Sequence, residues 1–209
     1  MTPEAVTELF TRSDNSYLFA RWGRPLAPVV FGVDDPTIGV FKGAIEAVIT
    51  LAGHEMADTD PELGANLMIF FLRDWQELAQ TPNLDRILAD LETLLPRLEA
   101  AGANQYRSFR FDETGAIKAA FVFIRVDENI AALPADTIAL SQIVQTILLW
   151  SDQAFRDAGP LARLSDDGPA LLRPEIAQVI RAAYDPVMPV AAQDPSHGLR
   201  LAARMSNVQ

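Results

Sequence analysis

A single α+β domain is what this sequence predicts: a small mixed or antiparallel sheet packed with about four helices. Three observations lead there. Stretches with apolar residues three and four apart alternate with short apolar runs rich in β-branched and aromatic residues. Asp112-Glu113-Thr114-Gly115 joins two of those runs as a hairpin turn. At 209 residues, about half of them apolar, the chain can bury one good core. The expected division is an N-terminal segment over 1–20, the domain over 20–190, and a C-terminal tail over 191–209 that wraps the surface or is partly disordered.

Residues 1–20 hold a short helix followed by a loop at Ser13 to Ser16. Leu26 to Val33 reads as a first strand, with Pro28 marking a strand start or an edge. Asp34 then caps a helix whose first turn contains Pro36 and which Gly53 stops. Ile38, Phe41, Ile45, Val48, Ile49 and Ala52 form its inward face. Gly39 and Gly43, four apart, suggest close packing against a neighbouring element. Ala65 to Leu72 is a second strand, and 73–83 a loop. Leu84 to Ala101 is a helix with Leu84, Ile87, Leu88, Leu91, Leu94, Leu95 and Leu98 inward, bent at Pro96. Gln105 to Phe111 and Ile117 to Val126 are the hairpin strands, the first alternating Tyr106, Ser108, Arg110 against Arg107, Phe109, Phe111. Pro134 to Phe155 is a helix with Leu140, Ile143, Val144, Ile147, Leu148 and Ala154 inward. A loop carrying Gly159-Pro160 and Asp166-Asp167-Gly168-Pro169 follows. Pro174 opens a last helix, with Ile176, Val179, Ile180 and Ala183 inward, which Tyr184-Asp185-Pro186 ends. Trp22, Trp75 and Trp150 are expected in the core.

Composition narrows function mainly by exclusion. A net charge of −11 disfavours nucleic acid and anionic membrane surfaces, both of which need clustered Lys and Arg. With no cysteine there is no disulfide, thiolate metal site or Cys nucleophile. No apolar run near the start has the make-up of a signal peptide, and none elsewhere is long enough to cross a membrane, so a cytoplasmic location is expected.

The helix from Pro134 carries a polar strip of Ser141, Gln145 and Asp152, with Gln142 beside it, and these four are the candidate binding residues. They either line a small cleft or form the solvated side of an amphipathic helix, which is the commoner arrangement. His54-Glu55-Met56-Ala57-Asp58 nearly matches H-E-x-x-H, but Gly53 breaks the helix that would bring two ligands together one turn apart. His197, in a turn-rich segment, has no G-x-S-x-G nucleophile to serve. Phosphate loops and G-x-G-x-x-G are absent, and no carboxylate pair is placed for acid–base work. No cofactor or metal is expected.

Leu140-Ser141-Gln142-Ile143-Val144-Gln145, Leu149-Trp150-Ser151-Asp152, Leu172-Arg173-Pro174 and Tyr184-Asp185-Pro186 together resemble an uncharacterised bacterial zincin-like family, domain of unknown function 2927. Its members show a Glu-rich helix ending in x-x-Gln, an Asn-Asp shortly after it, and a Leu-Thr-x-x-Asp helix ending in Tyr-Asp-Pro. The likeness spans about residues 20–190, and the strand led by Ala65-Asn66 and the hairpin fall in the same order. It implies a metallopeptidase-like fold in which the helix from Pro134 is the counterpart of the zinc-binding helix. Ser141 and Gln145 then take the two histidine places and Gln142 the glutamate place. A hydroxyl and two amides supply neither the zinc ligands nor the general base. Relatives are often exported, whereas no leader is visible here.

The expected function is therefore peptide or protein binding by a non-catalytic zincin-like domain whose sheet edge pairs with an extended segment. One rival is a hydrolase or other enzyme with a site assembled from His54, Glu55 and Asp152. Another is a structural subunit of a homo-oligomer, such as a homodimer.

Overall fold

The computed structural model describes residues 1–81, 84, 88, 90–165 and 168–206. The chain opens with α1 (Pro3–Glu8), capped by the Thr2 hydroxyl, and a two-residue strand β1 (Phe19–Ala20). β2 (Pro28–Phe31) leads into α2 (Asp35–Ala52). The Asp34 carboxylate accepts from Thr37 N–H at one end of α2, and Gly53, at φ 65°, closes the other. Both ends match the residue types expected there, because a carboxylate satisfies an orphan amide and a left-handed residue is cheapest as glycine. β3 (Leu67–Leu72), the single turn α3 (Gln76–Ala79) and α4 (Leu91–Ala100) follow. β4 (Gln105–Phe111) and β5 (Ile117–Arg125) form the hairpin, whose turn is held by Asp112 Oδ1 accepting from Thr114 and Ala116 N–H. Then come α5 (Glu128–Ala131), α6 (Ala135–Ile147), a small hairpin of β6 (Leu161–Arg163) and β7 (Ala170–Leu172), α7 (Pro174–Ala183), β8 (Ala191–Ala192) and α8 (Ser196–Met205).

The main sheet has the order β2-β3-β5-β4. β2, β3 and β5 run parallel, and β4 is an antiparallel edge strand. Side-chain alternation divides the interior into two cores. Leu67, Ile69, Ala120, Val122 and Ile124 face the larger one, with the buried sides of α2, α6, α7, α1 and α8. Phe121 and Phe123 face the smaller one, closed by Trp75, Leu78, Leu94, Leu95 and Leu98. β5 is thus covered on both faces, which explains its almost unbroken apolar run. Phe31, Phe70, Phe123 and Tyr106, directly opposed in register, stack across all four strands with centroids 5.0, 5.1 and 6.4 Å apart.

The structure corrects several expectations. The fold is α+β with a mixed sheet, but it has eight helices among the described residues rather than about four. The terminal segments are not peripheral: β1 pairs with β8, α1 packs on α8, and Leu201 and Val6 lie in the large core. Gly198 lets α8 approach α1, since a Cβ there would overlap Thr7. Gly39 and Gly43 face open space on α2, and Ile38 is 37% exposed. The 156–173 loop holds the β6–β7 hairpin. Of the helix expected over 84–101, α4 occupies 91–100 with Pro96 inside it; Ile87 lies outside the described residues, as do Asp166 and Asp167.

Candidate functional site

α6 ends at Ile147, eight residues before the expected end, and Leu148 is extended. Neither glycine nor proline stops it. A helix leaves its last carbonyls without intrahelical donors, and here aromatic side chains supply them, two from distant parts of the chain and one from just beyond the helix. Trp22 Nε1 donates to Thr146 O at 2.9 Å, Tyr184 Oη to Ile147 O at 2.9 Å, and Trp150 Nε1 to Val144 O at 2.8 Å. The chain then leaves the helix axis, with Leu149 N donating to Ala20 O and Ser151 N to Leu9 O. This departure lays 149–155 alongside β4 and opens a cavity of about 570 Å³ between them.

The expected polar strip divides accordingly. Gln145 and Asp152 line the large cavity, while Ser141 and Gln142 line a smaller one of about 180 Å³; Gln105 of β4 borders both. Asp152 is not on α6 at all. Its Oδ1 accepts from Ser13 N–H at 3.0 Å and its Oδ2 from the Gln153 amide at 2.9 Å. Hydrogen bonding from Ser13, then from Gln153, holds its carboxyl down at about 2. Ser141 and Gln145 bond to each other, Gln145 Nε2 donating to Ser141 Oγ at 2.9 Å. Gln142 is buried rather than solvated.

Gln142 is buried because it serves a cation. Arg107 of β4 points beneath the sheet toward α6, and its Nη2 donates to Gln105 Oε1 at 2.8 Å and Gln142 Oε1 at 2.9 Å. Gln142 Nε2 closes the triangle on Gln105 Oε1 at 2.8 Å. Among the described residues no carboxylate pairs with Arg107, and its Nε is buried without a partner. Burial pushes the guanidinium down to about 10, the direction expected of a desolvated cation. Arg107 and Gln105 were absent from the sequence-derived candidates. The signal was present: Arg107 shares its strand phase with Phe109, and an arginine on the apolar phase of a strand needs a partner.

β4 also offers its backbone. Arg125 N donates to Asn104 O at 2.9 Å. Alternation along an antiparallel pair then turns the peptide groups of Tyr106, Ser108 and Arg110 toward β5, and those of Gln105, Arg107 and Phe109 outward. Among the described residues no further strand pairs with that edge, and the large cavity runs along it.

The two histidines lie elsewhere. His54 bonds through Nε2 to Arg24 O at 2.9 Å and rests on the Tyr184 ring; burial lowers its pKa. Neither His54 nor Glu55 lines the cavity that holds Asp152, so those three are not brought together. His197 lies on α8, fully buried, with Nδ1 2.7 Å from Tyr17 Oη; burial pushes it down to about 4. Among the described residues no group of three or more His, Asp or Glu stands ready to hold a metal ion, and no helix is long and apolar enough to cross a membrane. No protein-family model, curated protein or solved structure matches the chain.

Proposed function

We propose that this chain is a non-catalytic binding domain, built on a zincin-like frame, that takes an extended peptide along the free edge of β4. The observation that carries the reading is that open edge bordering a large cavity, with three outward-facing peptide units at Gln105, Arg107 and Phe109. Main-chain pairing there gives affinity, and the cavity receives alternate side chains. The order of elements supports the zincin-like part, as does an antiparallel edge strand beside the helix bearing Ser141, Gln142 and Gln145. The binding role over catalysis is supported by what those three side chains do. Ser141 and Gln145 bond to each other and Gln142 to Gln105 and Arg107, so none is poised as nucleophile or base.

Fluorescence polarisation against a library of random extended peptides tests this, followed by an N-methyl scan of the tightest binder. Loss of about tenfold or more in affinity at every second position is expected, since only alternate amides of an added strand face β4. A flat scan, or a library without binders, overturns strand addition. Concentration-dependent self-association that peptides do not reverse would give the edge to a second copy of the chain, and would equally overturn it.

A further inference from the structure

We infer that Arg107 is a seat for a carboxylate, so that the peptide taken by β4 carries an Asp or Glu side chain opposite it. The inference rests on the strand-addition reading for the peptide, but the seat itself stands on the geometry around Arg107.

Four other arginines differ from Arg107 in one respect: each meets a carboxylate. Arg24 meets Asp60 and Glu62, Arg125 meets Asp127, Arg173 meets Glu175, and Arg204 meets Asp185. Arg107 is held by two amide oxygens, which orient the guanidinium without neutralising it. Arg107 is half-buried with its Nε shut off from solvent, and a cation partly withdrawn from water beside neutral dipoles is incompletely compensated until an anion joins it. Both protons of Nη2 are engaged by Gln105 and Gln142, whereas Nη1 has no partner among the described residues, and Arg107 is one of the residues that line the cavity. The two N–H groups of Nη1 remain for charge-assisted hydrogen bonds to an anion.

The competing charges on the cavity wall do not fill this role. Asp152 is engaged by Ser13 and Gln153, and Asp14 by the Ser16 amide and hydroxyl. Arg12, on the same wall, adds a second positive charge. A side-chain carboxylate fits better than a chain end. Arg107 is the third of seven residues in β4, and the edge continues on both sides of it, so a paired strand runs past. The residue directly opposite Arg107 projects its side chain to the same face of the sheet, toward α6.

The test uses the full chain with arginine side chains labelled by ¹⁵N. N-acetyl-glutamate N-methylamide and its glutamine isostere are titrated separately while the Arg107 Nε–Hε resonance is followed. A saturable shift is expected with the glutamate compound, and at least tenfold weaker binding with the glutamine one. Gln142→Glu places a carboxylate inside the triangle and should abolish the shift. Should that variant not fold, Arg107→Met with the remaining arginine resonances watched serves instead, and should leave no saturable response. Equal response to both compounds, or a glutamate response surviving either folded variant, overturns the seat. So does a library whose binders need a free C-terminal carboxylate and tolerate Glu→Gln. Binders with a two-residue N-methyl pattern but no acidic preference would keep strand addition and remove the seat. A saturable glutamate shift without any peptide binder would do the reverse.

Discussion

Two polar knots lie beneath the surface of this domain, and they are wired differently. In the first, Asn66 accepts from Ala27 N–H at 2.8 Å and donates to Pro25 O and to Asp60 Oδ2. Asp60 accepts in turn from Glu62 and Leu63 N–H, both at 2.8 Å, and pairs with Arg24 at 3.4 Å. Burial raises the Asp60 pKa, but those backbone donors, with Asn66 and Arg24, outweigh it and leave the carboxyl lowered. Charge and hydrogen bonds both close, and the knot ties the 53–66 segment to the starts of β2 and β3. In the second knot, Arg107 with Gln105 and Gln142, the hydrogen bonds to Nη2 close and the charge does not. A closed network belongs to architecture. One left open toward a cavity is where a ligand has something to add.

The most direct way to break this comparison is Asn66→Ala. It strands the Ala27 amide in the interior and takes the Nδ2 donor from Pro25 O and from Asp60 Oδ2, which keeps only Arg24, so unfolding in urea should show a loss of roughly 3 kcal/mol. A loss below about 1 kcal/mol would mean that closure of the first knot matters little.

The Tyr17–His197 pair is a third polar contact in the interior, and it contains a buried group that titrates. His197 binds its proton near 6.5 when unfolded and at about 4 when folded. Between those values the unfolded chain holds more protons, so stability rises with pH across that window, is complete above it, and is lost as pH falls toward 4. The difference is on the order of 3 kcal/mol. Urea midpoints from pH 7.5 to 4.5 check it, and His197→Phe should flatten that part of the slope.

Tyr184→Phe tests the cap that opens the cavity beside the second knot. It leaves Ile147 O without its donor, for an expected loss of about 1–2 kcal/mol, and it should raise amide exchange in the last turn of α6. Arg107→Met is expected to be neutral or to stabilise by about 1 kcal/mol, because an apolar side chain replaces an incompletely compensated cation. A loss above about 2 kcal/mol in thermal or urea unfolding would show the second knot to be as architectural as the first. Smallest of all, Lys42→Ala removes an exposed pair with Glu46 one helical turn away and should cost no more than about 0.5 kcal/mol.

Much of this fold is legible locally. Asp34 and Gly53 mark both ends of α2, Asp112 the hairpin turn, and Pro174 the start of α7, because each solves a backbone problem within a few residues of itself. The inward faces of α2 and α7 follow from spacing for the same reason, with Ile38 the exception. Spacing carries α6 past its true C-terminus because most of its stop signal is not local: Trp22 is 124 residues from Thr146, and Tyr184 is 37 from Ile147. The C-terminal segment reads as a tail because alanine and proline open it and SNVQ closes it, yet Leu201, Ala202 and Met205 share one helical face, which packs on α1 and α7.

The candidate site divides in the same way. Local spacing alone puts Ser141, Gln142 and Gln145 on α6 and Arg107 in phase with Phe109. Tertiary structure decided that Gln142 turns inward to that arginine, that Asp152 leaves the helix for Ser13, and that no described carboxylate reaches Arg107. Periodicity and capping depend on neighbours a few residues away. Whether a buried charge finds its counter-charge depends on every element that closes around it, and that is settled only when the chain has folded.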